Sequence, residues 1–68
     1  MKIRVQILPG NATKELTVPS GSTIYEVIKK LQLRPDAFIV LRESTPVHMD
    51  EVLNEDQDLR LLKVASGG

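Results

Sequence analysis

The 68-residue sequence has no cysteine, no tryptophan and only two aromatic residues, Tyr25 and Phe38. Without cysteine, the chain has no disulfide framework, no thiolate metal ligand and no nucleophilic thiol of its own. Two aromatic side chains are too few for a platform on which nucleic-acid bases stack. A chain of this length also buries only a thin core, which leaves little room for the active site of an enzyme.

The sequence also lacks excess charge of one sign and long apolar runs. Nine Lys and Arg residues balance nine Asp and Glu residues, so no general attraction to nucleic acid or to a membrane surface is expected. No apolar run approaches the roughly 20 residues of a membrane-spanning helix. Residues Met1–Gln6 alternate polar with apolar side chains, which is not the pattern of a signal peptide. We therefore expect a cytoplasmic protein with no membrane partner and no direct nucleic-acid partner.

The balanced charges are unevenly distributed along the chain. Residues 1–42 contain seven basic and three acidic residues, a net charge of +4, and residues 43–68 contain two basic and six acidic residues, a net charge of −4. Such a distribution usually reflects solvated faces. The alternative is a dipolar surface that orients a partner.

Two alternating segments predict an N-terminal hairpin. Ile3, Val5 and Ile7 alternate with polar residues, which is the pattern of a strand with one buried face. Pro9-Gly10-Asn11 is typical of a turn, and the alternation resumes through Leu16 and Val18.

The next segment predicts one amphipathic helix. Thr23 and Glu26 have the spacing of a capping box at its start, and Pro35 requires it to end by about Leu33. The apolar residues have the i, i+3, i+4, i+7 spacing of a helical stripe: Ile24, Val27, Ile28 and Leu31.

The remaining segments complete an α+β fold. They predict a third strand over Ala37–Leu41, a turn over Glu43–Pro46, a short strand over Val47–Met49 and a last strand over Leu59–Val64. A helix across one face of a mixed four- or five-stranded sheet, with the first and last strands central and parallel, uses every apolar stripe. This is the β-grasp arrangement, which we expect to occupy residues 1–64, followed by a flexible arm over residues 65–68.

The arm ends in Gly67-Gly68, and the chemistry of this end is distinctive. Glycines have no Cβ atom, so their backbone fits a narrow channel in conformations closed to other residues. The α-carboxylate of Gly68 is then a reactive group with little steric hindrance. A carboxylate resists nucleophiles until its oxygen becomes a leaving group, as it does in an acyl-adenylate made from ATP. We therefore expect the chemistry to be performed on this chain by another enzyme.

The whole chain resembles the ubiquitin-like sulfur carriers and modifiers of the ThiS/MoaD type, including bacterial and archaeal relatives that deliver sulfur for tRNA thiolation and are also conjugated to lysines. The features that carry the resemblance are the Lys2–Ile7 strand, the Val18–Ile24 and Leu31–Pro35 segments that flank the helix, the Asp56–Val64 turn and strand, and Gly67-Gly68.

The resemblance implies a function. An E1-like enzyme would adenylate Gly68, and a sulfur donor would convert the adenylate to a thiocarboxylate that serves a downstream thiolation enzyme. The chain itself would bind no cofactor, and the activating partner would consume the ATP. The pathway served, which could be tRNA thiolation, molybdopterin or thiamin synthesis, stays open.

One segment departs from the family pattern. Many members carry an Asn-Gly or related turn between the third and fourth strands, whereas Arg42-Glu43-Ser44-Thr45-Pro46 occupies that place here.

Alternation in the last strand predicts a docking surface. If Leu59 and Leu61 face the helix, then Arg60, Leu62 and Val64 face the other side of the sheet. An exposed apolar patch usually marks an interaction site. We expect its other members to be Leu8 and Arg4, with either the Phe38/Val40 or the Ile39/Leu41 pair. The alternative is a second small cluster covered by the Met49–Leu53 loop.

Two other candidate sites are weaker. His48 has no cysteine or second histidine with which to form a metal site, so a surface or strand position is expected. The acidic stretches Asp50-Glu51 and Glu55–Asp58 lack the glycine and the final glutamate of an EF-hand loop, which favours solvated turns.

Three functional hypotheses remain. The first is a sulfur carrier, and the second is a modifier that forms an isopeptide bond between Gly68 and a lysine of a target protein. The third is an RNA-binding β-grasp module of the TGS kind, which the Glu15–Leu31 pattern also resembles. Deleting Gly67-Gly68 would abolish the first two activities and leave the third intact. An autonomous enzyme is disfavoured because the chain lacks a catalytic nucleophile, a paired base and a cofactor motif.

Overall fold

A computed structural model describes residues 1–64 of the chain, and they form a five-stranded mixed sheet with one helix. The strand order is β2-β1-β5-β3-β4, with β1 and β5 parallel and the other pairs antiparallel. The predicted β-grasp arrangement is confirmed. The strands are β1 (Lys2–Leu8), β2 (Ala12–Thr17), β3 (Phe38–Arg42), β4 (Thr45–Val47) and β5 (Gln57–Lys63).

The helix α1 spans Ile24–Lys30 and begins with the predicted capping box. The backbone N–H of Glu26 donates to Thr23 Oγ1 at 3.2 Å, and the backbone N–H of Thr23 donates to Glu26 Oε1 at 3.0 Å. A short 3₁₀ turn at Pro35–Ala37 then leads into β3. Within residues 1–64, no helix is long and apolar enough to cross a membrane.

The core lies between α1 and one face of the sheet. Its side chains are almost completely removed from water, and β1 and β5 each contribute alternate residues, as a half-buried sheet requires. The buried apolar residues are Ile3, Val5, Val18, Ile24, Val27, Ile28, Val40, Leu53, Leu59 and Leu61. Among residues 1–64, no helix covers the opposite face of the sheet, hereafter the open face.

The hairpin between β3 and β4 differs from the sequence-based prediction. The turn was expected over Glu43–Pro46 and the strand over Val47–Met49, but β4 is Thr45–Val47. Only Glu43 and Ser44 lie between the paired residues Arg42 and Thr45, and both have positive φ, 52° and 67°. A two-residue hairpin loop with this twist requires positive φ at both positions. It forms here without the glycine that such a loop usually contains, because Val40 and Leu41 pair with Val47 and Pro46.

The loop that follows β4 closes the helix side of the core. The backbone N–H of Tyr25 donates to the Met49 carbonyl, and that of Leu53 donates to the Ser22 carbonyl, both at 2.8 Å. Leu53 is fully buried as a result. The Met49–Leu53 loop therefore does not cover the open face, and the alternative that placed it over a second cluster is wrong.

The two leucines that follow one another in β5 test this division of the sheet. Leu61→Ala should lower the free energy of unfolding by about 3 kcal/mol, because it leaves a cavity in the core. Leu62→Ala is the matched control and should cost about 1 kcal/mol or less, because Leu62 is 39% exposed on the open face. Urea denaturation of both variants measures the difference, and equal losses would contradict the assignment of the two faces.

Candidate functional site

Strand β5 carries the chain from the centre of the sheet to the last described residue. It lies between β1 and β3, so both of its edges are hydrogen-bonded. The backbone N–H of Val64 also donates to the Ala37 carbonyl at 2.9 Å. The backbone is thus held up to Val64, and the predicted site residues Gly67 and Gly68 lie outside the described residues.

Alternation along β5 divides its leucines between the two faces of the sheet. Leu59 and Leu61 are buried against the helix side, with 2% and 0% of their surface exposed, whereas Leu62 is 39% exposed on the open face. Val64 is half-buried and lies two residues after Leu62, which is the spacing of side chains on the same face of a strand.

An apolar row crosses the open face beside the end of β5. Leu62 pairs with Leu8 of β1 on one side and with Ile39 of β3 on the other. Leu8 is half-buried, and Ile39 is 43% exposed. Because residues paired across strands point to the same face, the three side chains are neighbours. We call Leu8, Leu62 and Ile39 the apolar row.

The row resolves a choice that the sequence left open. Val40 is buried in the core, so the Ile39/Leu41 pair faces outward and the Phe38/Val40 pair faces inward. Phe38-Ile39-Val40 is uniformly apolar and therefore has no alternation to read. The burial of Val40 and the pairing of Ile39 with Leu62 identify the exposed residue.

The two arginines predicted for this surface lie at different distances from the row. Arg60 pairs with Gln6 and Leu41 in the next position along the sheet, and within residues 1–64 no carboxylate lies within ion-pair distance of it. Arg4 lies four residues before Leu8, about 13 Å along the strand. Its guanidinium is 3.6 Å from a carboxylate oxygen of Glu15.

The open face therefore has an apolar end and an ionic end. The apolar row lies at the end where β5 finishes, and Arg4, Glu15 and Asp58 lie toward the other end. Between them is an open hollow of about 530 Å³, with Gln6, Leu41 and Arg60 among its lining residues. A partner that approaches the end of β5 would meet apolar side chains first and the cation of Arg60 next to them.

The described residues contain no side-chain cluster with the composition of a metal site. No cluster of three or more His, Asp or Glu side chains within residues 1–64 could hold a metal ion. His48 is exposed and follows directly after β4. The acidic residues Asp50 and Glu51 belong to the loop that hydrogen-bonds to the start of the helix.

Comparisons with known proteins agree with this architecture. The family model of small archaeal modifier protein 2 (SAMP2) matches residues 1–65. An uncharacterized protein of Archaeoglobus fulgidus is 29% identical over 69 aligned positions, which cover all of both chains.

Two solved structures share the fold over the whole length of this chain. The ubiquitin of Caldiarchaeum subterraneum matches with a TM-score of 0.76 and 22% identity over 98% of its own chain. SAMP1 from Haloferax volcanii matches with a TM-score of 0.77 and 18% identity over 100% of its own chain. At these identities the likeness establishes the fold, and the expected resemblance to ubiquitin-like small modifiers is confirmed. Because the family model extends over residues 1–65, the chain belongs to the small archaeal modifier protein 2 family.

Proposed function

We propose that this chain is a protein substrate whose Gly68 carboxylate is adenylated by an E1-like enzyme and converted to a thiocarboxylate for sulfur transfer. The observation that carries the proposal is the match to a small-modifier family through residue 65, directly before a sequence that continues to Gly67-Gly68. Members of this family are generally carriers that other enzymes act on. The proposal requires Gly68 to be the carboxyl terminus of the active form.

The chemistry takes two steps and needs no catalytic group from this chain. In the first, a carboxylate oxygen of Gly68 attacks the α-phosphorus of ATP, a phosphorus–oxygen bond forms, and pyrophosphate leaves. In the second, the sulfur of a hydrosulfide donor attacks the carbonyl carbon, and the carbon–oxygen bond to AMP breaks. AMP leaves with the electron pair, the sulfur loses its proton, and the product is a thiocarboxylate.

The folded body supports this chemistry by holding the backbone in a defined place up to Val64. The backbone of Val64 is held by its hydrogen bond to Ala37, and Gly68 follows Val64 by four positions in the sequence. A reacting group attached so close to a rigid body reduces the orientations that an activating enzyme must select. The apolar row beside Val64 is the surface that we propose the enzyme binds, with Arg60 next to it.

The partners follow from the same chemistry. They are the ATP-consuming activating enzyme, a sulfur donor and a thiolation enzyme that accepts the sulfur. We place all of them in the cytoplasm.

Intact-protein mass spectrometry tests the proposed reaction directly. The chain, incubated with ATP, an E1-like enzyme from the same organism and sulfide, should gain the mass difference between sulfur and oxygen. A variant that lacks Gly67-Gly68 should gain nothing and should melt at the same temperature, because the deletion removes no residue of the described strands, helix or core. An unchanged mass of the full chain under conditions where the enzyme consumes ATP would refute the carrier function.

A charge placed in the apolar row tests the proposed docking surface. Leu62→Glu should raise the KM for adenylation at least about tenfold, because a carboxylate would have to lose its water against an apolar partner surface. Val52→Glu is the matched control: Val52 is 50% exposed and pairs with Thr23 at the start of the helix, away from the open face. The control should keep the wild-type KM. Equal effects of the two changes would remove the apolar row from the docking surface.

The family match favours a second function, conjugation to other proteins, because the matched family is described as a modifier. The shared intermediate is the acyl-adenylate. A neutral lysine amine of a target would attack its carbonyl carbon, AMP would leave, and the nitrogen would lose a proton to give an isopeptide bond. Sulfur transfer and conjugation can therefore coexist in one chain.

Proteomics of cells that express the chain tests conjugation. Trypsin cuts after Lys63, the last basic residue, so a modified lysine should carry the branch Val-Ala-Ser-Gly-Gly and not the shorter Gly-Gly. The branch should be absent in cells that express the form without Gly67-Gly68. If no such branch is found in cells where the thiocarboxylate is detected, the chain acts in sulfur transfer alone.

A further inference from the structure

The charges of the folded body are separated along the direction of β5. The end of the helix carries Lys29 and Lys30, and β5 finishes at Lys63. Arg34 lies between the helix and β3, beside this same end, because Ala37 is hydrogen-bonded to Val64. All four cations are exposed, and the nearby acid is Asp36, whose carboxylate is 3.4 Å from Arg34 Nη2.

The opposite end of the body is acidic. Glu26 lies in the first turn of the helix, and the loop hydrogen-bonded to that turn contains Asp50 and Glu51. Glu55 and Asp56 come directly before β5. Two cations of β1 also lie toward this end, Lys2 and Arg4, and both are within 4.0 Å of Glu15. The cationic end is therefore the one from which residues 65–68 continue.

A groove lies at the cationic end, on the helix side of the sheet. Its volume is about 610 Å³. Leu33 and Phe38 contribute apolar surface to it, and Arg34 and Lys63 contribute charge. Phe38 pairs with Lys63, whereas their neighbours Ile39 and Leu62 pair on the open face. The groove and the apolar row therefore lie on opposite sides of the strand that ends at the tail.

We propose that this groove binds an acidic segment of the activating enzyme, with an apolar side chain against Leu33 and Phe38 and carboxylates beside Arg34 and Lys63. The inference rests on the proposed function, because it names the chemistry of the segment through which the activating enzyme binds this chain. Exposed ion pairs contribute little to affinity individually. Their main effect is on the rate and orientation of encounter, while the apolar contact retains the partner.

The composition of the groove favours a protein partner over RNA. An RNA-binding surface needs phosphate contacts from many cations and stacking from several aromatic rings. Here the two cations frame an apolar surface with one aromatic ring, and the chain has zero net charge. A peptide segment that combines carboxylates with an apolar side chain matches this pattern.

Charge reversal at the two ends of the body tests the inference. The groove variant is Arg34→Glu with Lys63→Glu, and the matched control is Asp50→Lys with Glu55→Lys at the acidic end. All four residues are exposed, so both variants should fold, which thermal melting checks. The readout is the kcat and KM of ATP-dependent adenylation, measured by pyrophosphate release at low and at high salt.

The groove variant should lower kcat/KM at least about tenfold at low salt, through KM, and the loss should shrink as salt screens the charges. The control should stay within about twofold of the wild type, as expected for charges remote from the interface. Arg34→Glu alone should reproduce part of the loss. Because Arg34 is far from the tail in sequence, this part of the loss would come from the groove and not from a change in the tail next to Lys63. Arg34→Lys should retain most of the activity, because it keeps the charge.

The outcomes separate the inference from the function on which it rests. If the wild-type chain is not adenylated, the proposed function fails and the inference fails with it. If the wild type is adenylated but the groove variant equals the control, the inference alone is overturned. Unchanged adenylation combined with lost binding of total tRNA would also overturn it and would assign the groove to RNA.

Discussion

The parallel pairing of β1 with β5 is the constraint on which the rest of the structure depends. Parallel strands cannot be joined by a tight turn, so the chain between them must cross over the sheet, and α1 makes that crossover. The pairing places the last strand in the centre of the sheet, hydrogen-bonded on both edges. The end of β5 is consequently held rigidly, with the open face on one side of the strand and the groove on the other.

Local patterns were sufficient to predict most of the elements. Three of these patterns each depend on only a few neighbouring residues. They are the alternation of Ile3, Val5 and Ile7, the helical stripe that begins at Ile24, and the Thr23–Glu26 capping box. The same alternation rule placed Leu61 in the core and Leu62 on the open face, because the two residues are adjacent in one regular strand. These features could be predicted because each depends on one strand or one helical turn.

The features that could not be predicted depend on contacts distant in sequence. Glu43 and Ser44 have no intrinsic preference for positive φ, and their conformation follows from the pairing of β3 with β4. Ile39 is part of the apolar row because it pairs with Leu62, more than 20 residues away. The opposite net charges of residues 1–42 and 43–68 were visible in the sequence. Each end of the folded body draws residues from both segments, so the separation of charge along β5 could be seen only in the fold. Gly67 and Gly68 lie outside the described residues, so their role is still a prediction.

We propose that this chain is a rigid body whose C-terminal carboxylate reacts, and that the activating enzyme binds it on both faces of β5. An NMR titration of the isotopically labelled chain with its ATP-loaded activating enzyme tests that claim most directly. The account predicts that the resonances of Leu8, Ile39, Leu62, the Leu33–Arg34 segment and residues 65–68 shift or broaden together. Changes confined to the start of the helix and the Asp50–Glu55 loop, with these resonances unaffected, would contradict it.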